Sequence, residues 1–147
     1  MKLVNSDQSS EFSDDRAAKI SSFKDLLVWK KSLYLTKEIY KATRQFPRDE
    51  LWALTKQIKR SVVSVGSNIA EGSAKRSTRE FIRFLNISYG SLSELEAQLI
   101  IANELEFLPT ADLKTLSQLI EELGKMLNGL IRSLSKKLNS ATLNSEL

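Results

Sequence analysis

The sequence predicts an all-α protein, an up-down-up-down antiparallel four-helix bundle. Three observations predict it. Apolar residues recur at three- and four-residue spacing through four stretches of about 20–28 residues each. The only two prolines, Pro47 and Pro109, stand between such stretches. The Gly, Pro and Asn punctuation of a strand-rich chain is missing. Short connections then make consecutive helices antiparallel neighbours, and no solenoid-length repeat is present.

Taken in order, residues 1–22 are polar, rich in Ser and Asp and aperiodic, which predicts a disordered N-terminal tail. The bundle is expected over 23–138, with a frayed C-terminal tail at 139–147. Phe23 is placed to pack at the start of a first helix running from Lys24 to Gln45. Its expected core face is Leu26, Trp29, Leu33 and Tyr40; Val28, Leu35 and Ile39 fall nearly opposite and are surplus to one apolar stripe.

Phe46-Pro47 ends that helix, since the residue before proline avoids helical geometry. A second helix is expected from Arg48 to Glu71, with Asp49 and Glu50 favourable at its N-terminus. Its core stripe is Leu51, Leu54, Ile58, Val62, Val65 and Ile69, with Trp52, Val63, Gly66 and Ala70 on a second strip. Gly66 marks either a close approach of another helix or a kink. Gly72 suits the left-handed position after a helix end.

Ser77 to Glu80 matches a capping box and opens a third helix reaching Glu106. Its core stripe is Phe81, Phe84/Leu85, Ser88, Leu92, Leu95, Leu99 and Ala102. Ile82, Tyr89 and Ile100 cover one flank, and Ile87 and Ile101 the other. Apolar character nearly all round predicts a central, heavily buried helix. Thr110 is the expected N-cap of a fourth helix, ending near Leu134 or Leu138. Its single stripe runs Leu113, Leu116, Ile120, Leu123, Leu127, Leu130, Ile131 and Leu134, and its polar remainder places it on the outside.

The chain of 147 residues has no Cys and no His. Disulfides, thiolate chemistry and histidine-based nucleophile pairs are thereby excluded. The carboxylates Glu94, Glu96, Glu104, Glu106, Glu121 and Glu122 lack the Glu-x-x-His pattern of a di-iron bundle. No metal site, cofactor or phosphate loop is expected. Glu71 beside Asn68 is better read as hydrogen bonding at a helix end than as a catalytic acid. The protein is therefore expected not to be an enzyme. No apolar run approaches a membrane span or signal peptide, so no membrane partner and a cytoplasmic location are expected.

Charge is unevenly distributed: residues 1–47 carry net +3, 48–83 net +4, 84–135 net −4 and 136–147 net +1. Lys56, Lys59, Arg60, Lys75, Arg76, Arg79 and Arg83 form the basic cluster that would neutralise nucleic-acid phosphates. A solvated or salt-bridged surface is the plainer alternative. No Arg, Asn or Gln pattern for reading base edges stands out. The surplus apolar positions Val28, Leu35, Ile39, Trp52, Val63, Gly66, Ile82, Tyr89 and Ile100 predict burial in a symmetric homo-oligomer. Tighter packing within one chain is the alternative.

Several segments carry a family resemblance. They are Phe23-Lys-Asp-Leu-Leu-Val-Trp29, Phe46-Pro47, Leu54-Thr55, Gln57-Ile-Lys-Arg60, Val63-Ser-Val65, Ser67-Asn-Ile-Ala-Glu-Gly72, Ser77, Glu80-Phe81, Gly90-Ser-Leu92 and Glu94-Leu-Glu96. Over about residues 23–134 the chain resembles the bacterial four-helix-bundle family associated with intervening sequences in 23S ribosomal RNA genes. It departs at Gly66, where a proline often stands, and in its longer N-terminal extension. The resemblance implies a homopentameric ring with a basic surface. It also implies a fold relation to accessory proteins of diversity-generating retroelements, which partner a reverse transcriptase and bind nucleic acid. Two functions follow as expectations. One is a noncatalytic, oligomeric RNA- or DNA-binding protein. The other is a protein-interaction scaffold, such as an accessory subunit of a reverse transcriptase.

Overall fold

The structure, a computed structural model, describes residues 22–146; the expected N-terminal tail lies outside the described residues except for Ser22. The chain enters through a 3-10 turn, Phe23–Asp25, capped by the Ser22 side chain, which accepts from the Lys24 N–H. Four helices follow: α1 (Leu27–Thr43), α2 (Leu54–Ser73), α3 (Thr78–Glu104) and α4 (Thr110–Ser145), with a second 3-10 turn at Arg48–Glu50 and no strand among the described residues. Each helix packs on its two sequence-cyclic neighbours, α1 on α2 and α4, α3 on α2 and α4, and diagonal pairs do not meet. This is an all-α four-helix bundle. No helix among the described residues is long and apolar enough to cross a membrane.

The core follows the predicted stripes on three helices. Ile58, Val62, Val65 and Ile69 of α2, Leu85, Leu92, Leu95 and Leu99 of α3, and Leu116, Ile120, Leu123 and Leu127 of α4 are all buried. Removing such side chains from water, at about 1.5–3 kcal/mol each, drives the fold. Ser88 is buried among them because its hydroxyl donates to the Val65 carbonyl at 2.8 Å, which satisfies the polar group inside the core.

Around α1 the core face is shifted relative to expectation: Leu26 is buried and Trp29 packs against the core as expected, but the rest of the stripe moves. Val28, Leu35 and Ile39, expected at an oligomer interface, are buried inside the bundle together with Ser32 and Thr43. Leu33 and Tyr40 are exposed instead. The cause is Ser32, which faces Gly66 so closely that a Cβ on that glycine would stand 2.9 Å from the Ser32 hydroxyl. A pair of small residues at the α1–α2 seam permits close packing, and the Ser32 hydroxyl turns back to donate to the Trp29 carbonyl at 2.6 Å. Gly66 thus serves a helix contact within the chain, and α2 is unbroken across it.

Other boundaries also shift. The second helix begins at Leu54 rather than Arg48, because the Glu50 carboxylate accepts from the Leu54 N–H at 3.3 Å and so marks the helix start. Leu51, expected in the core, lies in the preceding turn and is exposed. Gly72 is helical and not a left-handed stop; a Cβ there would meet the Phe84 Cβ at 2.6 Å, so any larger residue forces α3 to shift where it crosses. Thr110 is the first residue of α4 rather than its cap, and its hydroxyl accepts from Asn103 Nδ2 at 3.1 Å. α4 continues beyond Leu138 to Ser145, through residues that are increasingly exposed. Finally, α3 is less buried than its composition suggests: Ile87, Tyr89, Ile100 and Ile101 are exposed, and Ile82 is half-buried.

Candidate nucleic-acid interface

Seven cations form the expected basic cluster, and the bundle separates them into two groups. Lys75 and Arg76 lie in the turn joining α2 to α3, and Arg79 and Arg83 in the first turns of α3. All four are exposed. Lys56, Lys59 and Arg60 lie in the opposite half of α2. At 1.5 Å per residue, Lys59 is about 21 Å along the helix from Ser73, the last residue of α2.

The turn group is held by its own chemistry. Ser77 caps α3, its hydroxyl accepting from the Glu80 N–H at 3.2 Å. The reciprocal half of the capping box is not made: the Glu80 carboxylate pairs instead with Arg83 Nη2 at 3.1 Å. The Arg83 guanidinium also lies 4.6 Å from the Phe84 ring centre, with Lys75 Nζ 5.2 Å from the same ring. Phe84 is thereby a platform that orders two cations at one end of the bundle. Arg76 and Arg79 make no ion pair among the described residues. With the positive end of the α3 dipole beside them, they are the cations most available to a phosphate.

The second group has a different setting. Lys56 Nζ lies 5.8 Å from the Trp52 ring and Lys59 Nζ 4.8 Å from the Tyr40 ring. Tyr40, Lys56, Lys59, Arg60 and Val63 line one shallow, largely apolar depression between α1 and α2. The sequence reading divides these residues between phosphate binding and self-association; the structure brings them onto one surface. Tyr40 was legible only as an apolar position, and its pairing with Lys59 depends on the α1–α2 register. Of the remaining expected interface residues, Trp52 is 79% exposed and Val63 45%. Ile82, Tyr89 and Ile100 sit on α3, on its α4-facing flank.

That flank holds a second groove of about 350 Å³ between α3 and α4, lined by Tyr89, Glu96, Glu121, Gly124, Lys125 and Asn128 among others. Lys125 pairs with Glu121 at 3.2 Å. Asn68 donates to the backbone and side-chain oxygens of Ser64 at 2.8 and 3.0 Å; it does not bond Glu71, which is exposed. No group of three acidic side chains able to hold a metal is present among the described residues.

Comparison with known proteins places this geometry in context. A family model described as 23S rRNA-intervening sequence protein matches residues 24–129. A 1.70 Å crystal structure of a protein of unknown function from the S23 ribosomal protein family of Bacteroides thetaiotaomicron superposes with a TM-score of 0.67 at 27% identity, covering 72% of this chain and 96% of that one. No functionally curated protein matches the chain.

Proposed function

The chain belongs to the 23S rRNA-intervening sequence protein family, and from that premise we propose a noncatalytic, homo-oligomeric protein that binds RNA or DNA through phosphate contacts at the α2–α3 turn. One observation carries the reading: Lys75, Arg76, Arg79 and Arg83 are gathered, exposed, at one end of the bundle around the N-terminus of α3. Such a group attracts polyanions without reading sequence. The exposed apolar side chains on two flanks of the bundle support self-association, and the family resemblance sets the expected subunit number at five. In a ring, every copy would present the same basic end on one rim, so modest contacts per subunit would add through multivalency.

The test is a salt titration of binding to fluorescent single-stranded RNA, single-stranded DNA and duplex DNA, comparing wild type with Lys75→Ala/Arg76→Ala/Arg79→Ala. The triple variant is expected to weaken binding and flatten the slope of log affinity against log salt by about 2–3, at roughly 0.7–0.9 for each phosphate it no longer neutralises. Wild-type binding absent at low salt, or an unchanged slope in the variant, defeats the proposal and returns the basic end to a protein-docking role. A pull-down with a reverse transcriptase checks that second role.

A further inference from the structure

The two exposed apolar surfaces of the bundle differ in charge and lie on opposite sides. The first is on α1 and α2, where Tyr40, Val63 and Leu33 are 39%, 45% and 40% exposed. It is rimmed by Lys56, Lys59 and Arg60, and its depression has no acidic lining residue. The second is the α3–α4 groove, where Tyr89 lies between Glu96 and Glu121. Lys125 offsets one of these carboxylates, which leaves the groove net negative. It belongs to the segment 84–135, which carries net −4. In a bundle whose helices pack in cyclic order, the α1–α2 side is opposite the α3–α4 side.

The two surfaces are also level along the bundle axis. Ser32 meets Gly66 and Tyr40 meets Lys59, which sets the height of α1 on α2. Ser64 bonds Ser91 at 2.9 Å and Ser88 bonds the Val65 carbonyl, which sets α3 on α2. Gly124 lies against Tyr89 and Leu92, which sets α4 on α3. Val63 on one side is therefore at the height of Ser91 and Gly124 on the other.

Resting on the assembly reading above, we infer that the basic α1–α2 face docks onto the acidic α3–α4 groove of a second copy, head to tail and without axial offset, so that Lys56, Lys59 and Arg60 serve assembly rather than nucleic-acid binding. Two different faces make the contact heterologous, and a heterologous contact repeats until it closes. Equal height keeps successive copies in one plane without climbing along the bundle axis, and closure into a ring then requires each copy to turn about that axis at the contact. Opposite charge on the two faces disfavours pairing of like faces. The apolar centre of Tyr40 and Val63 against Tyr89 supplies the desolvated contact, with charge at its rim.

Size-exclusion chromatography with light scattering on the full chain tests this, using two variants at exposed positions and circular dichroism to check folding. Val63→Glu blocks the first face and leaves the groove intact. Ser93→Arg/Glu96→Arg blocks the groove and leaves the first face intact. Each variant alone is expected to weaken self-association by about a hundredfold or more, since the introduced charge meets the like charge of the facing surface, and to run as a 16.6 kDa monomer. Mixed, they are expected to associate again, because the intact groove of one meets the intact basic face of the other and, at the remaining contact, the introduced Glu faces the introduced Arg. Variants that both still assemble like an oligomeric wild type overturn the inference but keep the assembly reading. A mixture that stays monomeric, or a variant that pairs through one face alone, overturns head-to-tail docking. A monomeric wild type overturns both readings.

Discussion

Gly66 and Gly72 both stand where another helix approaches, yet their neighbours differ in what they can yield. A Cβ at Gly72 would lie 2.6 Å from the Phe84 Cβ and 3.3 Å from the Phe81 carbonyl oxygen. Both are anchored atoms, so α3 itself must shift. Overpacking of that kind costs about 1–3 kcal/mol, against about 1 kcal/mol gained from the helix propensity of alanine. Gly72→Ala is expected to be destabilising by up to about 2 kcal/mol. At Gly66 the crowding atom is the Ser32 hydroxyl, the tip of a side chain that can rotate, so Gly66→Ala is expected within about 0.5 kcal/mol of wild type. Gly90 faces open space, and Gly90→Ala is expected to stabilise by about 0.5–1 kcal/mol. Urea midpoints at constant slope check the order; a Gly72→Ala protein as stable as Gly90→Ala would sink the packing account. None of this was legible from the residues alone, where Gly72 followed by a polar turn reads as a helix stop.

At the scale of the helices, periodicity was informative wherever a stripe is wholly or almost wholly apolar. The stripe of α3, Ser88 included, is largely buried, that of α4 is buried or half-buried against the core, and most of that of α2 is buried. α1 misleads because its true core stripe contains Ser32 and Thr43, while Leu33 and Tyr40 decorate the outside. Helix ends were less legible, because they depend on side chains several residues away, such as Glu50 at the start of α2. The end of α3 is the clearest case. Glu106 has φ 63°, and the Glu106 and Phe107 N–H groups donate to the Asn103 and Ala102 carbonyls, both at 2.9 Å. This is the paired bond pattern of a Schellman cap, with a glutamate where glycine is usual. Phe107 follows it into contact with Phe46, ring centres 6.1 Å apart, at the connection between α1 and α2. A left-handed non-glycine residue costs about 1–2 kcal/mol, partly offset by the greater freedom of an unfolded glycine. Glu106→Gly is accordingly expected to raise stability by about 1 kcal/mol, read as a higher thermal midpoint with an unchanged helical spectrum.

For the whole molecule, what the sequence obscured was partition. Seven cations close in sequence read as one nucleic-acid surface; the predicted second helix carries three of them and the turn region the other four, but a linear reading cannot show that the three, about 20–25 Å from the end of α2, lie beside Tyr40 and Val63. Nor can it show that Ile82, Tyr89 and Ile100 sit on a different side of the bundle from Trp52 and Val63. Partition yields a separation of functions. Replacing Lys56, Lys59 and Arg60 together by alanine removes as much positive charge as the turn variant, so a purely global electrostatic effect would affect nucleic-acid binding equally in both. If the two groups act locally, the consequences diverge. The α2 variant lacks the rim of the docking face and is expected to weaken assembly, read as a shift to smaller species at a given concentration. Its binding per chain, measured on a short oligonucleotide that spans one subunit, is expected to keep a wild-type salt slope within about 0.5, since every phosphate-neutralising cation of the turn is still in place. On a long oligonucleotide its affinity is expected to fall, because fewer linked copies share one strand. An equal drop in slope for both variants on the short oligonucleotide would show the cations acting as one field. That result would merge the two groups that the bundle holds at opposite ends of α2.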